Sequence, residues 1–121
     1  GLDMTRPDLQ TALKDKGRPW ELGKAFDRSA PMAPIVPVDV CGHPARAAIW
    51  LKVNDAPRQS ADVADMSWSV PEIIANLSVY FRLEPGDLIF TGTPEGVGPV
   101  KKGDLIEAGV EGLGSLAVRI V

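Results

Sequence analysis

The clearest pattern in the chain is the two-residue alternation of residues 47–53, where Ile49, Leu51 and Val53 share one face. This alternation predicts a β-strand with one buried side. Asn54 and Asp55 follow as a turn signal, so residues 57–60 are expected to return as the second strand of a hairpin. Apolar runs separated by glycine and proline predict further strands at 1–4, 35–40, 88–91, 105–110 and 116–121.

Helical spacing of apolar residues occurs in two places. Thr5, with Asp8 three positions later, predicts a capping box, and the helix that follows is expected to end at Gly17. A second helix is predicted to start near Pro71, because apolar residues then recur every three or four positions. Residues 18–34 have no clean period and are expected to be irregular. The predicted class is therefore mainly β with short helices (α+β).

Length and composition narrow the classes of function. A chain of 121 residues suffices for one domain with a core, and its 45% apolar and 24% charged residues are ordinary for a folded protein. The net charge of −3, with both signs mixed, argues against a nucleic-acid-binding surface. No apolar run is long enough to span a membrane, no signal peptide is evident, and a single cysteine fits a reducing compartment. A cytoplasmic location is therefore expected.

Two charged residues are candidates for chemistry. Asp3 ends the first predicted strand, where site residues often lie, although a plain turn position is the simpler interpretation. Lys24 lies between Leu22-Gly23 and Ala25-Phe26. It is either a surface lysine with its stem on apolar neighbours, or a partly buried ammonium that stabilises a developing negative charge. Cys41 and His43 share a turn-like segment, which indicates a surface loop and not a catalytic thiol pair.

Residues 91–99 form the most unusual stretch of the chain. Thr91, Gly92 and Thr93 follow a predicted strand, and their hydroxyl and backbone N–H groups could bind an anionic ligand. The stretch lacks the Lys-Ser or Lys-Thr ending of a nucleotide-binding P-loop, which argues against nucleotides. A structural turn is the alternative.

Taken in order along all 121 residues, these segments resemble the fumarylacetoacetate hydrolase family. The similarity is strongest to its acylpyruvase and fumarylpyruvate hydrolase members and to the branch named for isomerisation of 2-hydroxyhepta-2,4-diene-1,7-dioate. The matching segments are Leu2-Asp3-Met4-Thr5, Asp8-Leu9-Gln10, Pro19-Trp20-Glu21-Leu22-Gly23-Lys24-Ala25-Phe26-Asp27, Leu51-Lys52-Val53-Asn54, Arg58-Gln59, Asp65-Met66, Leu83-Glu84-Pro85-Gly86-Asp87 and Thr91-Gly92-Thr93-Pro94-Glu95-Gly96-Val97-Gly98-Pro99.

The resemblance implies that residues 1–121 are the C-terminal portion of a single catalytic domain, a mixed β-sandwich or roll that is often a homodimer. It also implies a Mg2+ or Mn2+ ion bound by Asp3 and by two upstream glutamates. Lys24 matches the active-site lysine, and Gln10 and Thr93 match residues that line the substrate pocket. The general-base histidine–glutamate pair is also upstream, so this chain is expected to need the N-terminal half.

The implied reaction is metal-dependent hydrolysis of a C–C bond in a small 2,4-diketo acid, which yields pyruvate and a second acid. An isomerase or an oxaloacetate decarboxylase is the alternative within the family. A non-catalytic structural or dimerisation module is the alternative from another class, because Pro7 stands where the family usually has an arginine.

Overall fold

A computed structural model describes all residues from Gly1 to Val121, and the chain forms two compact units, Gly1–Ala33 and Pro34–Val121. The first unit contains helix α1 (Pro7–Lys14) and a 3-10 turn (Glu21–Gly23). The second unit contains, in chain order, α2 (Val38–Cys41), β1 (Ala48–Val53), β2 (Ala56–Asp62), a 3-10 turn (Val63–Asp65), α3 (Val70–Tyr80), β3 (Leu105–Val110) and β4 (Gly114–Arg119).

The four strands form one antiparallel sheet in the order β2-β1-β3-β4. The predicted hairpin is confirmed: Asn54 and Asp55 connect β1 to β2 with φ values of 50° and 65°, the left-handed conformation that tight hairpin turns require. One irregularity interrupts the pairing, because Leu51 lies opposite Gln59 while Lys52 lies opposite Pro57. Arg58 therefore has no partner and forms a β-bulge in the edge strand β2.

Both predicted helices are present, but the start of the first differs from the prediction. The N-cap of α1 is Arg6, Pro7 is the first helical residue, and no side chain caps the helix. The predicted capping box of Thr5 and Asp8 is therefore wrong. A residue that precedes proline is disfavoured in the α conformation, so the helix cannot begin before Pro7 and Thr5 lies one position too early. By contrast, α3 begins with a complete capping box between Ser69 and Glu72.

Three of the predicted strands, at 1–4, 35–40 and 88–91, do not form. Residues 1–4 make only two backbone hydrogen bonds: the N–H of Leu2 donates to the carbonyl of Pro31, and that of Met4 to the carbonyl of Ser29. Two bonds are too few for a regular β-ladder. Residues 35–40 contain Pro37, which cannot donate a ladder hydrogen bond and instead caps the short helix α2. Residues 88–91 have no partner strand. An apolar run forms a strand only where another strand accepts its hydrogen bonds.

Few apolar side chains are buried for a chain of this length: Leu2 in the first unit, and Ala47, Val53 and Ile106 in the second. Many large apolar side chains are exposed instead, including Ile74, Val79 and Tyr80 on α3 and the whole run 88–90. Exposed apolar surfaces of this kind normally lie against another segment or chain. None of the helices is both long and apolar enough to cross a bilayer.

Asp104 is the single buried charged residue, at 7% exposure, and it ties the first hairpin to the start of β3. Its carboxylate accepts hydrogen bonds from the Lys101 backbone N–H and the Asn54 side chain, each at 2.9 Å. The Asn54 side-chain oxygen in turn accepts from the Leu105 backbone N–H at 2.9 Å. These bonds, first that of Lys101 and then that of Asn54, hold the pKa of Asp104 below its ordinary value of 3.8.

Replacing Asp104 with alanine should lower the thermal unfolding midpoint by roughly 5 °C near pH 7, because the Lys101 and Asn54 donors lose their acceptor. A lowered folded-state pKa stabilises the protein fully above pH 3.8, and this stabilisation is lost as the pH falls through the lowered value. The difference between parent and variant should therefore shrink below pH 3.8 when unfolding is followed by circular dichroism. Asp39→Ala, an exposed aspartate without a side-chain hydrogen bond, is the control; an equal effect of both variants would contradict the prediction.

Candidate active site

The first unit brings together Asp3 and Lys24, two of the predicted site residues. The Nζ of Lys24 donates to both carboxylate oxygens of Asp3, at 3.0 and 2.9 Å. The side chains are 37% and 48% exposed for Lys24 and Asp3, respectively, so the pair lies at the surface of the unit but is not fully hydrated. An ion pair this exposed contributes little to stability, roughly 0–1 kcal/mol. Its two charges remain accessible to a ligand.

Backbone hydrogen bonds set the direction of Asp3. The N–H groups of Leu2 and Met4 donate to Pro31 and Ser29, so this segment is extended and successive side chains point to opposite sides. Leu2 is buried at 8% exposure, and Asp3 consequently faces outward. The apolar–acidic order of the sequence thus places the carboxylate at the surface.

The 3-10 turn Glu21–Gly23 sets the position of Lys24. The Lys24 N–H donates to Glu21 at 2.8 Å, and the Arg6 N–H donates to the Gly23 carbonyl at 2.9 Å. This second bond joins the turn to the segment that carries Asp3, which explains how residues 21 positions apart in the chain come into contact.

Gln10, the third predicted site residue of this unit, lies on α1 and packs against Gly23. A Cβ at Gly23 would come 2.7 Å from the Cβ of Gln10, so only glycine allows the helix to approach the turn this closely. Gln10 is half-buried and forms no hydrogen bond with Asp3 or Lys24. The structure therefore places it beside the residue that precedes Lys24, without direct contact to the ion pair.

In the second unit, residues 91–99 form a glycine-rich loop that lies against the edge strand β2. The Nε2 of Gln59 donates to the Thr93 hydroxyl at 3.1 Å and to the Pro94 carbonyl at 2.8 Å. Gly96, at φ 97°, lies so close to Arg58 that a Cβ would overlap its carbonyl oxygen. Thr91 and Gly92 are exposed and make no such contact. Of the three predicted loop residues, only Thr93 is held in place by a side chain.

Gln59 is the contact residue that the sequence pattern did not assign to the site. Residues 58 and 59 belong to a matching segment of the resemblance, but no role followed from it. Gln59 and Thr93 are 34 positions apart, and their contact depends on the bulge at Arg58. Because neither period nor composition encodes a bulge position, this partnership becomes visible only in the folded chain.

The donor set of the chain fits a hard divalent cation in part. Asp3 offers carboxylate oxygens, the ligand type that Mg2+ and Mn2+ prefer. A carboxylate has about four lone-pair sites, so it can accept from Lys24 and bind a cation at the same time. No group of three or more His, Cys, Asp or Glu residues in this chain is arranged to hold a metal. Asp3 therefore fits as one ligand of a site that requires others.

Cys41 and His43 stay apart from this chemistry. Cys41 is the last residue of α2, and its Sγ lies near the carbonyl oxygens of Val36 and Gly42, at 3.8 and 3.4 Å. His43 is exposed beyond the helix. The predicted surface loop is therefore wrong for Cys41, which is part-buried at the end of a short helix, whereas His43 lies in an exposed segment without regular structure. No hydrogen bond joins the thiol to His43.

Comparisons with known proteins show the family to which the chain belongs. Residues 1–121 match the family described as fumarylacetoacetate (FAA) hydrolase C-terminal. Fumarylpyruvate hydrolase of Ralstonia sp is 48% identical over 120 residues, which cover 99% of this chain and 62% of that protein. The mitochondrial oxaloacetate tautomerase of Homo sapiens is 46% identical over 119 residues, which cover 98% of this chain and 54% of that protein.

A solved structure gives the same result for the fold. The crystal structure of fumarylpyruvate hydrolase from Pseudomonas aeruginosa, in complex with Mn2+ and pyruvate, matches with a TM-score of 0.94 and 54% identity. The match covers 98% of this chain and 51% of that one. The chain thus spans about half to three-fifths of the length of these relatives. It belongs to the fumarylacetoacetate hydrolase family and corresponds to the C-terminal portion of its members.

Proposed function

We propose that this chain is the C-terminal portion of a metal-dependent hydrolase that cleaves a C–C bond in a small 2,4-diketo acid of the acylpyruvate or fumarylpyruvate type. The products are pyruvate and a second acid. The observation that carries the proposal is the Lys24–Asp3 pair, in which a lysine and a carboxylate are joined at 2.9 Å on an accessible surface. The proposal is further supported by the 54% identity between this chain and a fumarylpyruvate hydrolase that was crystallised with Mn2+ and pyruvate.

Asp3 is proposed as one ligand of Mg2+ or Mn2+, with the remaining ligands supplied from outside this chain. When bound, such a cation polarises the oxygens of a keto acid and favours charge build-up on them. Asp3 also holds the Lys24 ammonium in the absence of substrate. One carboxylate thus has two roles, cation ligand and counter-ion.

Lys24 is proposed as the donor that stabilises negative charge on the leaving enolate during C–C cleavage. An ammonium with three rotatable donors can keep one bond to Asp3 while it turns another toward an oxyanion. The water that attacks the distal carbonyl must lose a proton, and the resemblance to the family implies a histidine–glutamate pair upstream of this chain as the base that accepts it. We assign that step to a general base outside the chain.

Gln10, Thr91, Gly92 and Thr93 are proposed as substrate-binding residues. A diketo acid carries a carboxylate, which accepts hydrogen bonds from hydroxyl, amide and backbone N–H groups. Gln10 is half-buried on α1, whereas Thr91 and Gly92 are exposed in the loop. The loop glycines leave its backbone N–H groups open to a ligand.

Oxaloacetate tautomerisation is the second candidate, because the human relative that is 46% identical over 119 residues is an oxaloacetate tautomerase. Isomerisation and oxaloacetate decarboxylation need the same stabilisation of an enolate, so Lys24 would serve each reaction. Product analysis separates them: hydrolysis releases two acids, decarboxylation releases CO2, and tautomerisation leaves the composition unchanged.

The proposed function predicts that the 121-residue chain alone has no hydrolase activity. It has no group of three or more metal-binding side chains, and the general base that the resemblance implies lies upstream. The complete protein, assayed on acylpyruvates and oxaloacetate, should turn over with Mg2+ or Mn2+ and stop when EDTA is added. Turnover by the isolated chain would contradict the prediction. A complete protein that folds but transforms none of these substrates would favour the non-catalytic structural module.

A homodimer is proposed as the assembled form, as the resemblance to the family implies. The exposed side chains of Ile74, Val79 and Tyr80 on α3 are one surface that the N-terminal half or a second copy would cover. Light scattering of the complete protein gives the mass directly, and a monomeric mass would contradict this proposal.

A further inference from the structure

We infer that Gln59 is a positioning residue that turns the hydroxyl hydrogen of Thr93 outward, as a hydrogen-bond donor to substrate. The inference rests on the proposed function and adds a residue to it. It starts from the only two side-chain hydrogen bonds that reach the glycine-rich loop from β2, which are both donated by the Nε2 of Gln59.

The acceptors in the loop fix the orientation of the Gln59 amide. A carboxamide nitrogen carries two hydrogens, and here one is donated to the Thr93 hydroxyl oxygen at 3.1 Å and the other to the Pro94 carbonyl at 2.8 Å. A carbonyl can only accept, so the nitrogen and not the oxygen of the amide must face the loop. The orientation therefore follows from the chemistry of Pro94.

This orientation determines what Thr93 can do. A hydroxyl that accepts a hydrogen bond at its oxygen still has its own hydrogen to donate, and no group in the structure accepts that hydrogen. Thr93 is exposed, so the hydrogen is available to a ligand. A hydroxyl whose hydrogen is directed away from Gln59 and stays free to donate is suited to a carboxylate or a developing oxyanion.

The bulge at Arg58 places Gln59 where it can make these contacts. Side chains alternate between the faces of a strand, and one inserted residue shifts every later side chain to the other face. Pairing resumes with Gln59 opposite Leu51, while Arg58 stays unpaired. Its carbonyl faces Gly96, where a Cβ could not fit. The loop therefore covers the edge strand with its backbone, and Gln59 anchors it by two bonds.

The test compares Gln59→Glu with Gln59→Met in the complete protein, each alone and combined with Thr93→Val. A glutamate of nearly the same shape cannot donate, so it should attract the Thr93 hydrogen toward itself and withdraw it from substrate. Methionine removes both hydrogen bonds of Gln59 but offers no strong acceptor to the Thr93 hydroxyl. We expect kcat/KM on an acylpyruvate to fall about 10²-fold for Gln59→Glu and about tenfold for Gln59→Met, with unfolding midpoints close to that of the parent.

In the Thr93→Val background the difference between glutamate and methionine should shrink to about twofold, since no hydroxyl remains to be turned. In Thr93→Ser, which keeps the hydroxyl, it should persist. The same variants are titrated with pyruvate in the presence of Mn2+ by calorimetry. The inference would be overturned if Gln59→Glu and Gln59→Met lost equal activity, or if their difference persisted in Thr93→Val; turnover by the parent would still support the proposed reaction. If the parent had no turnover but the pyruvate affinities of the variants still depended on Thr93 as expected, only the proposed reaction would be overturned. If the parent had no turnover and the pyruvate affinities did not depend on Thr93, both would be overturned.

Discussion

Replacing Lys24 with methionine should lower turnover by about 10²-fold and leave the fold and metal binding intact. The Nζ of Lys24 donates to both oxygens of Asp3, and the Lys24 side chain is 37% exposed, so the unit does not depend on this ion pair for stability. Methionine keeps the length and apolar stem of the side chain and removes the charge. The loss should therefore be confined to steps in which negative charge develops on the substrate.

Steady-state kinetics on an acylpyruvate measure this effect, and Lys16→Met in the same unit is the matched control, because Lys16 is exposed and forms no ion pair. The control should keep nearly the parental rate. If Lys24→Met also stays within tenfold of the parent, Lys24 is an ordinary surface lysine, and the Thr91–Thr93 segment becomes the main candidate for stabilising charge.

Asp3→Asn should lower the affinity for Mn2+ by at least about tenfold and lower activity with it. Asparagine has the shape of aspartate but only one neutral acceptor oxygen, which is a weaker ligand for a hard cation. The fold should tolerate the change, since the segment is held by the backbone bonds of Leu2 and Met4 and not by the carboxylate.

Calorimetric titration of Mn2+ into the complete protein checks the second prediction, with Asp27→Asn as the control from the same unit. An affinity equal to that of the parent would remove Asp3 from the metal site. Comparing the two variants separates the two roles. Lys24→Met should lose turnover but keep the parental affinity for Mn2+, whereas Asp3→Asn should lose both turnover and Mn2+ affinity. Identical signatures would mean that Lys24 acts only by holding Asp3 in place.

Local patterns predicted those parts of the fold that depend on neighbouring residues. The hairpin around Asn54 and Asp55 needs only a two-residue turn between alternating runs, and α3 needs only helical spacing after its cap, so both were confirmed. The runs 35–40 and 88–91 have equally apolar sequences but form no strand. A strand depends on a partner strand at any distance along the chain, and the local pattern carries no information about that partner.

The candidate site divides in the same way. The sequence by itself determined the chemical groups: the carboxylate of Asp3, the ammonium of Lys24 and the hydroxyl of Thr93, which the resemblance to the family marked as site residues. Tertiary structure decided which of them meet, since the Asp3–Lys24 pair depends on the bond between Arg6 and Gly23. It also decided that Gln59 holds Thr93, through a bulge that no sequence period encodes. The residue type determines whether a group can donate or accept a hydrogen bond, whereas the long-range geometry of the backbone determines which partner it meets.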